Sequence, residues 1–309
     1  MANAFSLFPT LRARLGMIKT VLVHMTGVET DEVALHTGLE IVRPFGGQLN
    51  CLRTRLNADA PVAVESSVAM ASAIAVSEAV STLRRQDALQ TEQAKRNFNK
   101  FWESEVLALG ENPKSGVEVT AAWVEKPGSD VEQVVSYGRL NDLLVMSRKS
   151  ENSIGLTPAE LGAVVLDVGR PVIIASPQAP QCFPQRVGIA WKDTAEAARA
   201  VSAAMPIIAK ADHVIVFSVN EDGDHANDCI DCMEGIAEAI RWHSPTVEMQ
   251  YLVPGGRHLP ETILEAAYEC NVDLLVTGAY GHSRLRELMF GGFTQRILEG
   301  ANFPVLLFH

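Results

Sequence analysis

Apolar positions along the chain fall into short unbroken runs rich in Val, Ile and Leu, separated by longer stretches in which apolar and polar residues recur at helical spacing. Such runs read as strands buried on both faces, and the intervening stretches as helices that cover a parallel sheet. Residues 18–25 form the first predicted strand, and 30–43 a helix ended by Pro44 and the Gly46-Gly47 pair. A second strand is expected at 48–55 and a third at 116–124, with an Ala-rich region between them (61–109) read as one long helix or a helical hairpin. Then come a helix at 130–138, a fourth strand at 142–147, a helix at 158–168 and a fifth strand at 171–175.

From Arg186 the order starts again. Strands are predicted at 187–191, 213–219, 246–252, 273–278 and 304–308, and helices at 194–210, 225–243, 259–270 and from about Phe293. The two copies match at their ends: Asn141-Asp142-Leu143-Leu144-Val145 answers Val272-Asp273-Leu274-Leu275-Val276, and Gly169-Arg170-Pro171-Val172-Ile173-Ile174 answers Asn302-Phe303-Pro304-Val305-Leu306-Leu307. Paired matches of this kind indicate duplication rather than one large domain. The expected organisation is a first domain at 1–178, a Pro/Gln-rich linker at 176–185 and a second domain at 184–309. Each is a five-stranded parallel sheet with helices on both faces, and ligands in such sheets sit outside the carboxyl ends of the strands.

The loop after the fourth strand of the second copy carries the strongest candidate chemistry. There Gly278, Gly281, His282, Arg284, Gly291, Gly292, Phe293 and Thr294 follow one another within seventeen residues. Glycines let backbone approach a ligand closely, and a helix opened by a glycine pair offers free N–H groups and a positive dipole end to an anion. On spacing alone a plain tight turn and helix cap fit equally well. No Gly-Lys-Ser/Thr follows the strand, so this is no Walker loop, and the glycines span too many residues for the dinucleotide fingerprint.

These residues resemble the universal stress protein family, and the resemblance covers nearly the whole chain as two tandem copies. The family pattern of glycine, two residues, glycine, nine residues, glycine and then serine or threonine is met at Gly278, Gly281 and Gly291; Gly292 stands where the hydroxyl residue belongs. The resemblance implies two tandem five-stranded parallel α/β sandwich domains, of the adenine-nucleotide alpha-hydrolase-like, Rossmann-like class. It also implies a stress-response module that binds ATP in the second copy, with or without Mg²⁺. In that reading the glycines supply space and backbone donors, Thr294 a hydroxyl, and His282 or Arg284 a positive edge. Trp191, Lys192 and Asp193 follow the first strand of that copy, where the family places adenosine. Lys192 stands where an aspartate is usual, and it equally well solvates the start of the next helix.

The first copy lacks this loop. Ser147-Arg148-Lys149-Ser150 replaces the glycines, and the pair Arg148-Lys149 reads as a solvated surface pair. The family also implies dimerisation through the last strand, so either a homodimer or an intrachain pseudo-dimer of the two copies is expected.

Composition narrows the partners. The formal charge of −11 argues against nucleic acid and anionic membranes, no apolar stretch reaches membrane-spanning length, and five scattered cysteines fit a reducing cytoplasm. The acidity is concentrated in residues 184–309, with 9 basic against 17 acidic side chains, yet 277–298 contains Arg284, Arg286 and Arg296 against Glu287 alone. A locally basic loop thus sits at the expected phosphate site. His225, Cys229 and Cys232 fall on one face of a predicted helix, a spacing that suits zinc and equally suits buried core cysteines. The alternatives to nucleotide binding are therefore a nucleotide-independent interaction module, and an enzyme that hydrolyses ATP slowly or uses zinc. For efficient catalysis the sequence offers no nucleophile and base pair.

Overall fold

A computed structural model describes residues 17–56, 73–105, 108–109, 119–148, 156–219, 226–244, 246–279 and 292–309. In chain order the first half contains β1 (Thr20–Met25), α1 (Thr30–Val42), β2 (Gln48–Arg55), α2 (Ala73–Glu105), β3 (Ala108–Leu109), β4 (Thr120–Pro127), α3 (Asp130–Gly138), β5 (Leu143–Met146), α4 (Pro158–Asp167) and β6 (Val172–Ile174). The second contains β7 (Arg186–Ala190), α5 (Ala195–Ile208), β8 (His213–Val219), α6 (Ala226–Arg241), β9 (Val247–Leu252), α7 (Leu259–Glu269), β10 (Leu274–Gly278), α8 (Gly292–Gly300) and β11 (Val305–Phe308). The strands form one sheet in the order β3-β4-β2-β1-β5-β6-β11-β10-β7-β8-β9.

Leaving aside the short edge strand β3, each half lays its five strands in the same order, third, second, first, fourth, fifth, all parallel. Alternate strand residues feed two apolar layers that both run through the two halves. Val21, Val23, Leu49, Val187, Ile189, Val214 and Val276 pack on one face with α1, α2, α5 and α6. Leu22, Leu144, Ile215, Phe217, Leu275 and Val305 pack on the other with α3, α4, α7 and α8. Burying each such side chain stabilises the fold by roughly 1.5–3 kcal/mol, which explains why the strands read as unbroken apolar runs rather than alternating ones.

The halves join edge to edge. β6 pairs antiparallel with β11, Ile174 opposite Val305, Ile173 opposite Leu306 and Val172 opposite Leu307. Two strand edges that would otherwise expose unpaired backbone groups thereby satisfy each other within one chain. Arg148 crosses the same junction: its guanidinium donates to the Ala301 carbonyl at 2.6 Å and to the Phe303 carbonyl at 3.4 Å. These carbonyls follow the carboxyl end of α8, where a cation is favoured.

Outside the 61–109 region, the expected elements are present where the chain is described, with ends displaced by no more than four residues. Among the described residues of the region after β2, 73–105 form one continuous helix, and β3 adds a strand at the sheet edge that hydrophobic patterning did not show. Arg148 is not the solvated residue its charged neighbourhood suggested. It is largely buried, and burial pulls its guanidinium pKa down to about 10.

Candidate functional site

In the second half the first strand, β7, ends at Ala190 and leads into Trp191-Lys192-Asp193 before α5. The turn is closed locally: the Trp191 N–H donates to the Phe217 carbonyl at 2.8 Å and the Thr194 N–H to the Lys192 carbonyl at 2.7 Å. Thr194 then caps α5, its hydroxyl accepting from the Ala197 N–H at 3.3 Å. Lys192 and Asp193 are left on the surface, while Trp191 is half-buried against the apolar layer of α5 and α6. The indole Nε1 of Trp191 is buried and has no hydrogen-bond partner among the described residues. An unsatisfied buried donor is costly unless something fills its place.

Gly278 closes the other side. A Cβ at this position would lie 2.6 Å from the Ala197 nitrogen and 2.8 Å from the Glu196 carbonyl carbon, so the missing side chain lets the first turn of α5 abut the end of β10. That contact accounts for this glycine by packing alone. The chain terminus is tied to the same place, with the Ala279 N–H donating to the Phe308 carbonyl at 2.9 Å and His309 Nδ1 3.0 Å from the Ala279 carbonyl. The Glu196 carboxyl is held below the usual range, first by its own backbone N–H and then by Arg199 and His309.

Gly292 opens α8, and a Cβ there would have nothing within 4 Å. The helix start is thus uncrowded by the described residues, as an anion-binding N-terminus requires. Phe293 packs on the layer formed with α7 and α8, and Thr294 is 3 % exposed. The Thr294 side chain is therefore buried in the helix packing. Gly281, His282, Arg284 and Gly291 lie outside the described residues.

The zinc candidates are not brought together among the described residues. His225 and the side chain of Cys229 lie outside them, and no group of three metal-ligating side chains forms within them. Cys232 instead directs its thiol at Asp193, with Sγ 3.8 Å from Oδ2. This link from α6 to the turn after β7 was missed in sequence because the two residues are distant along the chain.

In the first half the corresponding place is closed from within. Asp31, on the first turn of α1 and fully buried, accepts from the Thr26 N–H at 2.8 Å, the Thr26 hydroxyl at 2.9 Å and the Gly27 N–H at 2.9 Å. The long helix α2 then covers the turn. Asn97 donates to the Asp31 carboxylate and to the Val28 carbonyl, both at 3.2 Å. Gly27 has a φ of +83°, and a Cβ there would sit 2.3 Å from the Gln90 carbonyl oxygen. At the end of β2, the nearly buried Arg53 pairs with Asp87 of α2 at 2.9 Å. His24, on β1, is buried too, and burial lowers its pKa towards the neutral imidazole. The backbone donors of this turn are thus used by the protein itself, while the buried His24 Nε2 has no hydrogen-bond partner among the described residues.

Residues 237–309 match the model of the universal stress protein family. This stretch runs from α6 to β11 and includes the glycine loop. A curated universal stress protein of Synechocystis sp. is 41 % identical over 51 residues, which make up 16 % of this chain. The match spans 18 % of that relative's length. Among solved structures, a universal stress protein from Archaeoglobus fulgidus superposes with a TM-score of 0.60 at 16 % identity, covering 94 % of this chain and 96 % of that one. A functionally unknown protein from Pseudomonas aeruginosa PAO1 does so at 0.57 and 12 % identity, covering 94 % and 92 %. At these identities the structural likeness speaks for the fold. No helix among the described residues is long and apolar enough to cross a membrane.

Proposed function

Residues 237–309 match the universal stress protein family, and from that premise we propose that the chain is a member of this family, a stress-response module whose second half, residues 184–309, binds ATP while its first half, residues 1–178, serves as a closed structural partner. The observation that carries this reading is the contrast between the two turns. After β1 the backbone donors are consumed by Asp31 and covered by α2. After β7 a buried indole donor has no partner among the described residues and stands beside two exposed charged residues.

The residues present suit the group. Trp191 offers a donor and an aromatic face to a base or ribose, and Lys192 a positive charge to phosphate oxygens. Gly292 and Phe293 offer the N–H groups at the start of α8, and Gly281, Gly291, His282 and Arg284 complete the loop expected around the triphosphate. Mg²⁺, where present, would neutralise phosphate charge and be held chiefly by the phosphates and water. The buried position of Thr294 transfers the role first given to its hydroxyl to the helix N-terminus.

Calorimetry with ATP and Mg²⁺ on the folded full-length chain tests the reading. One site is expected, abolished by replacing Gly281 and Gly291 with bulky residues and retained on replacing Ser147. Absence of heat from the folded protein, together with no nucleotide in the supernatant after denaturing the purified protein, would instead support a nucleotide-independent interaction module.

A further inference from the structure

A cavity of about 430 Å³ lies between the two halves, at the amino ends of β10 and β11 and so away from the turn after β7. Its volume is within the roughly 300–1,000 Å³ of small-molecule sites, and junctions between domains are where such sites often form. Val272, Leu274 and Pro304 line it from the second half, Glu40 and Ile41 of α1 from the first, and the linker closes it with Pro180 and Cys182. The walls are therefore largely apolar and come from three separate parts of the chain.

The charges that line it have one sign. Glu40 and Asp273 contribute carboxylates, and no Lys or Arg is among the lining residues. Glu40 is partly balanced from outside by Arg43 at 3.2 Å, and Asp273 accepts from the Gln185 and Arg186 N–H groups at 2.9 and 3.0 Å. Backbone N–H groups do not cancel a full charge, and Arg186, like Arg43, acts from outside the lining, so the charged groups that face the cavity itself are carboxylates. Two further lining residues, Tyr268 and Phe303, place their rings 5.2 Å apart at one end, and aromatic faces attract cations. The side-chain amides of Gln181 and Asn302 also line it, and neither makes a hydrogen bond among the described residues.

We propose that this junction cavity is a second ligand site, for a small organic cation: an amine carried on an apolar or aromatic body. The apolar walls would take the body, and Glu40, Asp273 and the aromatic pair the charged head. An anion of the same size is disfavoured because it would face two carboxylates, while the nearby guanidiniums of Arg43 and Arg186 stand outside the lining and are already engaged with Glu40 and with the Cys270 carbonyl. The proposal stands apart from nucleotide binding, since none of its residues belongs to the turn after β7 or to the glycine loop.

Ligand-observed NMR and calorimetry on the full-length chain, with phenethylamine and 3-phenylpropionate as probes, test it. The amine is expected to bind at one site and at least about tenfold more tightly than the carboxylate. Glu40→Gln should weaken amine binding about tenfold. Cys182→Trp, a change on an exposed linker residue, should remove it by filling the space while the circular dichroism spectrum is unchanged. Saturating ATP with Mg²⁺ should leave the amine affinity as it is. Binding of neither probe, equal binding of both, or amine binding that survives both substitutions would overturn the proposal.

Discussion

Asp142 and Asp273 hold the same position in the two halves. Each stands immediately before the fourth strand of its half and takes hydrogen bonds from successive backbone N–H groups where the first strand begins. Asp142 accepts from Lys19 and Thr20 at 2.8 and 3.0 Å, and Asp273 from Gln185 and Arg186 at 2.9 and 3.0 Å. Each aspartate's own N–H returns a bond, to the Thr20 carbonyl at 2.9 Å and to the Arg186 carbonyl at 3.0 Å. One side chain thus sets the alignment of the two central strands in each copy, which is why Asp-Leu-Leu-Val recurs in both.

Replacing either aspartate with alanine leaves two backbone donors without their acceptor, and each change should cost about 1–3 kcal/mol in urea unfolding. The pH response should differ in sign from that of an ordinary ion-paired carboxylate. Burial pushes the Asp273 carboxyl above the usual aspartate range, against the pull of its N–H partners. Between the ordinary and the raised value the folded state holds a proton that the unfolded state has lost, so Asp273 makes stability fall as pH rises through that window. Urea midpoints of the wild type and Asp273→Asn, compared across mildly acidic pH, check this: the substitution should remove that slope.

The strands were legible because both of their faces are buried, which leaves an apolar run with few competing readings. β2, α3 and β8 begin and end where patterning placed them. The join between β6 and β11 was not legible, since an apolar edge strand has the same sequence whether it pairs within the chain or with a second molecule. Nor was the burial of Arg148, whose carbonyl partners lie more than 150 residues away. At the candidate site, sequence pointed to Trp191, Lys192 and Asp193 but missed Cys232 against Asp193. It also gave no hint that Asp31 and Asn97 close the first half, because Asp31 accepts from backbone N–H groups and Asn97 donates to Asp31 and to the Val28 carbonyl from a distant helix.

Arg148→Ala should loosen the junction. The substitution frees the carbonyls of Ala301 and Phe303 and removes a cation from the carboxyl end of α8, a loss of about 1.5–3 kcal/mol. Arg148→Lys should recover only part of it, because an ammonium lacks the planar fork that reaches both carbonyls. Calorimetric melting reads the effect as a lower Tm. If Arg148→Ala melted with the wild type, the guanidinium would contribute nothing to holding the halves together.

The closure of the first half gives a different expectation. Asp31→Ala leaves the Thr26 and Gly27 N–H groups and the Thr26 hydroxyl without their acceptor in a buried place, and should destabilise the protein by about 3 kcal/mol or more. Gly27→Ala forces a side chain into a positive-φ turn already occupied by the Gln90 carbonyl, so it should displace α2 from α1 and raise protease sensitivity in the helix. Neither change should alter the stoichiometry of ATP binding, which calorimetry measures. A second bound nucleotide in the Gly27→Ala protein would mean that α2 is all that keeps ligand out of the first half.

The indole of Trp191 and the glycine at 292, neither of which meets a partner among the described residues, make opposite predictions for ATP. Trp191→Phe keeps the ring against the apolar layer and removes only the buried donor, so folding stability should hold or rise, because an uncompensated polar group is lost. If the nucleotide supplies the missing acceptor, its affinity should fall about tenfold, the value of one hydrogen bond of roughly 1.4 kcal/mol. Gly292→Ser adds a hydroxyl where a Cβ meets nothing within 4 Å among the described residues, at the start of a helix, and supplies the serine or threonine of the family pattern. It should leave the fold intact and tighten ATP binding several-fold. Titration of the two variants and the wild type with ATP and Mg²⁺ decides the matter: affinities that do not move in these opposite directions would separate the nucleotide from both the turn after β7 and the N-terminus of α8.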